Sequence, residues 1–223
     1  MAPTAIHAAA ALLAGSALAM TWWRIKISKL ESTDRTHGPS VRIDGTSFSM
    51  RPATAADLET IVEFTQNLAS ETEGVTLPDD AVRRGVAYGL PELAAGRGGG
   101  GGLRPLYWVC EDAASGNPCG MVGVSPEWSD WWGCEYWWVI AVYVLPPARR
   151  QRCAQGMLRR LLALARDGGV QTVNLRVERL NASAQALYTA SGFAVDESHL
   201  VMACGRTPAG DAVGAGFPAV RGD

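Results

Sequence analysis

The sequence predicts a domain of the α/β class, an α/β sandwich in which helices pack on a mixed β-sheet. Between residues 106 and 144, aromatic and β-branched residues form three runs separated by turn residues, as consecutive strands do. After Pro146 and Pro147 the apolar period changes from about 2 residues to about 3.6, which is typical of an α-helix with one buried face. Strands and helices that alternate in this way indicate a layered α/β architecture.

The composition indicates one folded domain and excludes nucleic acid as the main partner. The chain has 223 residues, of which 48% are hydrophobic, and it contains eight Trp. A formal net charge of −2 predicts no clustered positive surface for a phosphate backbone. The five cysteines are scattered and form no Cys-x-x-Cys pair. The sequence therefore predicts buried thiols in a reducing compartment, with no disulfide framework and no metal site.

The N-terminus is interpreted as a targeting or membrane-anchor segment over residues 1–30. Residues 6–23 contain no Lys, Arg, Asp or Glu and are rich in Ala and Leu, and basic residues follow them. Because a secretory signal carries its positive charge before the apolar run, a cleaved secretory peptide is disfavoured. Two alternatives stay open, a transit peptide for a mitochondrion or plastid, and a membrane anchor through residues 6–23 with the domain facing the cytoplasm.

The rest of the chain divides into three predicted parts. Residues 31–45 form a polar linker, residues 46–204 form the domain, and residues 205–223 form a flexible C-terminal tail. Phe48 to Arg51 is a candidate opening strand. Thr54 and Asp57 then have the spacing of a capping box at a helix N-terminus.

The middle of the domain predicts a second helix, a loop and three strands. The helix is expected from Asp79 to Leu90, and the loop from Gly96 to Gly102 should be flexible and without catalytic residues. The three strands are predicted at Leu106 to Glu111, Cys119 to Val124 and Tyr136 to Val144. Turn residues between them indicate antiparallel hairpins.

The last part predicts two helices, a strand between them and a closing hairpin. The first helix should begin near Ala154 and end at Gly168, and Val173 to Val177 alternates as a strand does. Asn181 is a suitable N-cap for the second helix, which Gly192 should end. The closing hairpin is predicted from two segments, Phe193 to Val195 and Leu200 to Ala203.

The loop before the helix at Ala154 predicts an anion site. Free amides and the positive end of the dipole at a helix N-terminus attract anions. Arg149, Arg150 and Arg152 lie in this loop, and no acidic residue is near it, so a diphosphate would fit there. The alternative interpretation is that the three arginines form an ordinary solvated loop face.

Two motifs resemble the GNAT acetyltransferase family. The stretch V-Y-V-L-P-P-A-R-R-Q-R-C-A-Q-G-M, which begins at Val142, is similar to the family's coenzyme A signature. The pattern N-x-x-A-x-x-x-Y-x-x-x-G-F is matched by Asn181, Ala184, Tyr188, Gly192 and Phe193. The resemblance implies an acyl-CoA N-acyltransferase fold, acetyl-CoA as the co-substrate, and a small-molecule or peptide amine as the acceptor. The E-W-S-D-W stretch from Glu127 further resembles a bacterial subgroup of the family.

The resemblance also implies the residues of the coenzyme site. Backbone groups of a splayed strand should pair with the pantetheine arm, a turn should hold the diphosphate, and a later helix should complete the site. These residues are, in chain order, Val142, Tyr143, Val144, Arg149, Arg150, Gln151, Arg152, Cys153, Ala154, Gln155, Asn181, Ala184 and Tyr188.

The resemblance implies direct transfer, in which an acid protonates the departing thiolate. Tyr188 is the candidate acid, and a tyrosine of the core is the alternative interpretation. Glu127 and Glu135 are the candidate bases, with Asp130, Glu71 and Glu73 as further candidates; each could instead be a solvated surface acid.

Arg152 departs from the signature, which has glycine at this position. Its side chain either points outward or contacts phosphate, or else it obstructs the coenzyme. Cys153 is expected to pack as a small apolar residue, although a reactive thiolate is the alternative. Two other functions stay open, a catalytically silent coenzyme A-binding domain and an interaction module that displays a Trp-rich hairpin. The five Trp of that region are Trp128, Trp131, Trp132, Trp137 and Trp138.

Overall fold

The computed structural model describes residues 38–94, 103–200 and 202, and the backbone of residues 205–206 and 212–213. In these residues a six-stranded sheet carries helices on both of its faces. The strands are β1 Val41–Arg42, β2 Phe48–Pro52, β3 Leu106–Asp112, β4 Pro118–Ser129, β5 Cys134–Val144, β6 Val173–Leu175, β7 Gly205–Arg206 and β8 Ala212–Val213. The α-helices are α1 Leu58–Glu73, α2 Asp79–Gly89, α3 Pro91–Ala94, α4 Cys153–Asp167 and α5 Ala182–Ala190.

The sheet order follows the chain order from β1 to β6. Each neighbouring pair from β1 to β5 is antiparallel, whereas β5 and β6 are parallel. Short turns join the antiparallel pairs except β2 and β3, between which the chain forms α1, α2 and α3. A parallel pair needs a long crossover, and α4 provides it. The predicted α/β class and mixed, mostly antiparallel sheet are confirmed.

Two apolar clusters lie on the two faces of the sheet because alternate strand residues point to opposite sides. On β3, Trp108 and Cys110 belong to the cluster beneath α4, whereas Val109 belongs to the cluster beneath α1 and α2. Met157 and Leu161 of α4 are fully buried in the first of these clusters. The predicted single buried face of this helix is confirmed.

The start of α1 is fixed by a partly buried ionic cluster of Arg51, Asp57 and Glu111. Both terminal nitrogens of Arg51 donate to the Asp57 carboxylate, over 2.7 and 2.8 Å, and its Nε donates to Glu111 over 2.7 Å. The amide of Thr54 also donates to Asp57, over 2.8 Å. The predicted capping box is therefore confirmed, and Arg51 joins it to the sheet.

The predicted closing hairpin is wrong in its first half. Phe193 to Val195 forms no strand, and Val195 is 87% exposed. A short apolar segment forms a strand only if it can pair with a neighbouring strand and pack against a core. Among the described residues, Phe193 to Val195 has no such partner strand. In the predicted second half, Leu200 and Met202 are also exposed, and residues 201 and 203 lie outside the described residues.

Two other predictions concern segments that the structure does not describe. The loop from Gly96 to Gly102 and the N-terminal run at residues 6–23 both lie outside the described residues. Within residues 38–94 and 103–200, none of the helices is both long enough and apolar enough to span a membrane.

Candidate active site

A cleft opens where strands β5 and β6 separate. The two strands pair only from Trp137 to Val139 of β5, opposite Val173 to Leu175 of β6. Beyond Val139, β5 continues to Val144 and pairs with β4 on its other side. The predicted strand from Val173 to Val177 is therefore shorter in the structure, since the residues after Leu175 turn away from β5.

A cavity of about 630 Å³ occupies this separation. Helix α1 forms one side of it, β5 forms the floor, and the segment from β6 into α5 forms the other side. Its lining residues are Thr65, Leu68, Ala69, Thr72, Glu73, Leu77, Val139, Ile140, Ala141, Val142, Arg176, Val177, Glu178, Asn181, Ala184 and Tyr188. Of the predicted coenzyme residues, four thus meet in one cavity, namely Val142, Asn181, Ala184 and Tyr188.

Tyr188 enters the cavity from α5. Asn181 begins this helix, and its side chain accepts a hydrogen bond from the amide of Ala184 over 3.0 Å, as an N-cap does. The Tyr188 ring packs edge-on against Phe193, with 5.9 Å between the ring centroids. Burial raises the pKa of Tyr188, so its hydroxyl is protonated at neutral pH. Among the described residues, this hydroxyl has no hydrogen-bond partner.

The turn that was predicted to bind an anion, residues 149–152, follows shortly after β5, and we refer to it as the anion turn. A short 3₁₀ turn at Pro146–Ala148 leads to Arg149, and α4 begins at Cys153 without an acidic residue or a side-chain cap in its first turn. Gln151 closes the turn, since its Nε2 donates to the Pro147 carbonyl over 2.7 Å. Because the first amides of a helix have no intrahelical acceptor, this turn can bind an anion.

Arg149 of this turn is tied to α1 by Glu71. Its Nε donates to the Val144 carbonyl over 2.8 Å, and one terminal nitrogen donates to the Glu71 carboxylate over 2.6 Å. The Tyr143 hydroxyl donates to the same carboxylate over 2.9 Å. Burial acts to raise the pKa of Glu71, but the hydrogen bonds from Arg149 and Tyr143 outweigh it and lower the pKa. Glu71 is thus an ion-pair partner, which makes it a poor proton acceptor.

Arg152 occupies a left-handed conformation. Its φ is 64°, in the region that favours glycine, and Arg150 has a φ of 62°. The Arg152 side chain is exposed and lines a separate groove of about 570 Å³ between α4 and the turn after β1. Arg42, Arg159 and Arg160 line the same groove. The sequence prediction that glycine would be the easy residue here agrees with the observed backbone.

Replacing Arg152 by Gly should give a more stable protein than replacing it by Ala, by about 1 kcal/mol, because only glycine relieves the left-handed strain. Both variants lose the same charge, so their difference isolates the backbone contribution. Urea unfolding of the two variants measures it. Equal stabilities would contradict the strain at this position.

The two predicted bases lie on the hairpin of β4 and β5, away from the cavity lining. Glu127 accepts a hydrogen bond from the Tyr136 hydroxyl, and Glu135 accepts one from the Trp137 indole over 3.1 Å. The acids that line the cavity are Glu73 at the end of α1 and Glu178 before α5. Glu178 was not among the predicted bases, although it directly follows the predicted strand from Val173 to Val177 and precedes the N-cap Asn181 by three residues. A loop between a strand and a helix often carries functional residues, so this position is the signal that could have identified it.

The Trp-rich hairpin divides into exposed and packed residues. Trp128, Trp131 and Trp132 are exposed at its tip, whereas Trp137 is fully buried in the core. Trp138 packs against the guanidinium of Arg176 at 4.9 Å, which is a cation–π contact beside the cavity. The five Trp of the hairpin therefore do not form one continuous aromatic surface.

The chain matches the model of one protein family. Residues 83–193 match the model of the acetyltransferase (GNAT) family. No curated protein matches the chain.

Solved structures share the fold. A possible acetyltransferase from Clostridium difficile 630 is 26% identical, with 70% of this chain and 96% of that chain covered and a TM-score of 0.59. A ribosomal-protein-alanine N-acetyltransferase from Brucella melitensis biovar Abortus 2308 is 17% identical, with 71% and 99% covered and a TM-score of 0.53. A predicted acetyltransferase with acetyl-CoA from Clostridium acetobutylicum is 17% identical, with 70% and 96% covered and a TM-score of 0.53.

The localisation predicted from residues 1–30 needs correction. The similar structures named above come from bacteria, no described helix could span a membrane, and the comparisons give no support for a transit peptide. The prediction of an organellar or membrane-anchored protein is contradicted. Its weakness lay in the composition, because many of the residues from 6 to 23 are Ala, which is only weakly apolar.

Proposed function

Since the chain belongs to the GNAT acetyltransferase family and is an acetyl-CoA-dependent acyltransferase, we propose that it transfers an acetyl group directly to a primary amine. One observation carries this proposal. The cavity beside β5 has Tyr188 on one wall, and β5, which forms its floor, leads from Val142 through Val144 into the anion turn after Pro147. A thioester bound along β5, with its diphosphate on the turn, would then extend towards the phenol.

The residues present fit acetyl-CoA as a substrate. The edge of β5 beyond Val139 offers backbone donors and acceptors for amide groups of the pantetheine arm. The uncapped first turn of α4, with Arg150 and Arg152 exposed beside it, offers amides and positive charge to the diphosphate. Gln151, Cys153, Ala154 and Gln155 would shape this turn, and Cys153 does so from a buried position.

In the proposed reaction the amine nitrogen attacks the thioester carbonyl, a carbon–nitrogen bond forms and the carbon–sulfur bond breaks. Tyr188 donates its hydroxyl proton to the departing thiolate, which it can do because the phenol is protonated at neutral pH. A carboxylate of the cavity accepts the proton that the amine loses. We assign this role to Glu73 or Glu178, because both line the cavity, and their negative charge would also attract a cationic amine.

Replacing the cavity acids tests the assignment of the base. We expect Glu73→Gln or Glu178→Gln to lower turnover, because one of these carboxylates borders the bound amine. The matched changes Glu127→Gln and Glu135→Gln on the hairpin should leave turnover unchanged. Turnover is measured as thiol release with saturating amine, and the reverse pattern would return the role to the two hairpin acids.

Acetyl-CoA binding followed by thiol release tests the function itself. Acetyl-CoA at 100 times its dissociation constant should stabilise the protein by about 2.7 kcal/mol, which raises the melting temperature by roughly 5 to 10 °C. Thiol release with a panel of small amines and peptide N-termini then identifies the acceptor class. Binding without thiol release would indicate a silent coenzyme A-binding domain. An unchanged melting temperature would favour the interaction module with its exposed Trp128, Trp131 and Trp132. The bacterial subgroup suggested by the stretch from Glu127 stays a prediction.

A further inference from the structure

Three cysteines that are far apart in the sequence meet in the core beneath the anion turn. Cys110 lies on β3, Cys119 on β4, and Cys153 is the first residue of α4. Their sulfur atoms all lie within 4.8 Å of one another, and Cys110 and Cys153 are separated by 3.3 Å. All three side chains are buried, with exposed fractions of 0%, 7% and 2% in chain order. We refer to these residues as the three-thiol cluster.

The three-thiol cluster offers three ligands to one ion and no fourth. Among the described residues no His, Asp, Glu or further Cys belongs to the group. The surrounding side chains are apolar, and they include Met50, Trp108 and Met157 of the same core. Two sulfurs bound at about 2.3 Å to one pyramidal three-coordinate ion would lie about 3.4 Å apart, which is close to the 3.3 Å between Cys110 and Cys153 and within the 4.8 Å that bounds all three separations.

The two nearest sulfurs of the cluster, those of Cys110 and Cys153, lie 3.3 Å apart and within hydrogen-bond reach of each other. The cluster also lies at the N-terminus of α4, where the helix dipole favours negative charge. A thiolate ligand can therefore form in this otherwise apolar place.

We propose that Cys110, Cys119 and Cys153 form a binding site for a soft, three-coordinate trivalent ion of the arsenic(III) class. Thiolates are soft ligands and select soft ions. Zinc takes four protein ligands in its structural sites, and the cluster supplies three. Three thiolates and a trivalent ion are neutral together, whereas a monovalent ion such as Cu⁺ would leave two uncompensated negative charges in the core.

Binding requires no oxidant or reductant. Arsenous acid, As(OH)₃, reacts with three thiols to form three arsenic–sulfur bonds, while three arsenic–oxygen bonds break. The three thiol protons leave with the hydroxide groups as three water molecules. Arsenous acid is small and uncharged at neutral pH, so it can reach a buried site through local opening of the turn before α4.

Arsenite added to the folded, full-length, reduced protein tests the proposal. We expect one arsenic atom per chain, seen in the intact mass as one added arsenic and three lost hydrogens. Titration of the thiols after denaturation should show that three of the five cysteines are protected. X-ray absorption at the arsenic edge should show three sulfur neighbours. Two sulfurs and one oxygen, or an unchanged mass, would overturn the proposal.

Cys134 provides the matched control, because it is buried like the others but is not part of the cluster. Cys134→Ala should retain full arsenic binding, and Cys119→Ala should lower the affinity at least tenfold. Equal loss in both variants would overturn the proposal, as would one Zn²⁺ retained per chain after gel filtration. The absorption measurement uses the wild-type chain, so the proposal stays testable if Cys119→Ala fails to fold.

Discussion

Replacing Tyr188 by Phe should lower turnover by roughly 10²-fold or more, which is the usual contribution of a general acid. The change removes one hydroxyl and keeps the ring, so the edge-on contact with Phe193 and the shape of the cavity are preserved. The affinity for acetyl-CoA should stay nearly unchanged, because the hydroxyl acts on the leaving sulfur. Steady-state kinetics and calorimetric binding measure the two quantities separately.

The pH dependence of the wild-type enzyme provides a second test of Tyr188. A general acid works only while it is protonated, so activity that depends on it is present below its pKa and is lost as the pH rises through that pKa. Burial raises the pKa of Tyr188 above its ordinary value of about 10. Turnover should therefore not decline because of this group below about pH 10. Tyr88→Phe is the matched control, since Tyr88 is exposed and is not among the cavity-lining residues. Unaltered turnover in Tyr188→Phe would remove this residue from the mechanism.

Replacing Asp57 by Asn should destabilise the protein by roughly 3 kcal/mol, the lower part of the range for breaking a buried ion pair. Asp57 is 5% exposed and receives hydrogen bonds from Arg51 and from the Thr54 amide. Its loss leaves Arg51 with only Glu111 as a charged partner among the described residues, and the single carbonyl oxygen of Asn replaces two carboxylate oxygens as acceptor for Arg51 and the Thr54 amide. The loss stays in the lower part of the range because Glu111 still compensates Arg51. Urea unfolding at pH 7 measures the effect.

The same residue should make the stability fall in acid. Burial acts to raise the pKa of Asp57, but the hydrogen bonds from Arg51 and Thr54 outweigh it, so the folded-state pKa lies below the unfolded value of about 3.9. A lowered carboxyl pKa stabilises the folded state above the unfolded pKa, and this contribution is lost as the pH falls through the folded one. Wild-type stability should therefore fall more steeply below about pH 4 than that of Asp57→Asn. Asp167→Asn, in an exposed ion pair with Arg166, should behave as the wild type. If the free energy of unfolding fell equally steeply with decreasing pH in the wild type and in Asp57→Asn, the assignment of the acid sensitivity to Asp57 would be contradicted.

Local sequence patterns predicted most of the fold because they report local structure. The period around Met157 and Leu161 identified α4, and Asn181 identified the start of α5, since both signals lie within a few residues of the element they define. The strand predicted at Phe193 failed for the opposite reason. Alternation describes a surface that suits a sheet, but strand formation depends on a partner elsewhere in the chain.

The candidate site was predictable only where a motif spanned it. Tyr188 and Asn181 were found from one motif, and they do line the same cavity. The ion pair of Glu71 with Arg149 joins residues 78 positions apart, and the three-thiol cluster joins three elements. Such contacts depend on how the sheet and helices pack, which spacing along the chain does not encode. The strand predicted up to Val177 was too long for the same reason. Its pairing with β5 ends at Leu175, and the end of a strand pair depends on tertiary structure.

The parting of β5 and β6 has a consequence for how freely this sequence can diverge. Every residue except proline carries the same amide N–H and carbonyl groups. A binding cleft between β5 and β6 that uses these main-chain groups therefore places little selective pressure on the neighbouring side chains. Substitutions that keep β5 extended and leave the cleft open would be tolerated, whereas insertions that let β6 pair further along β5 would close the cleft. Such tolerance is consistent with one fold persisting among chains that are 26% identical or less.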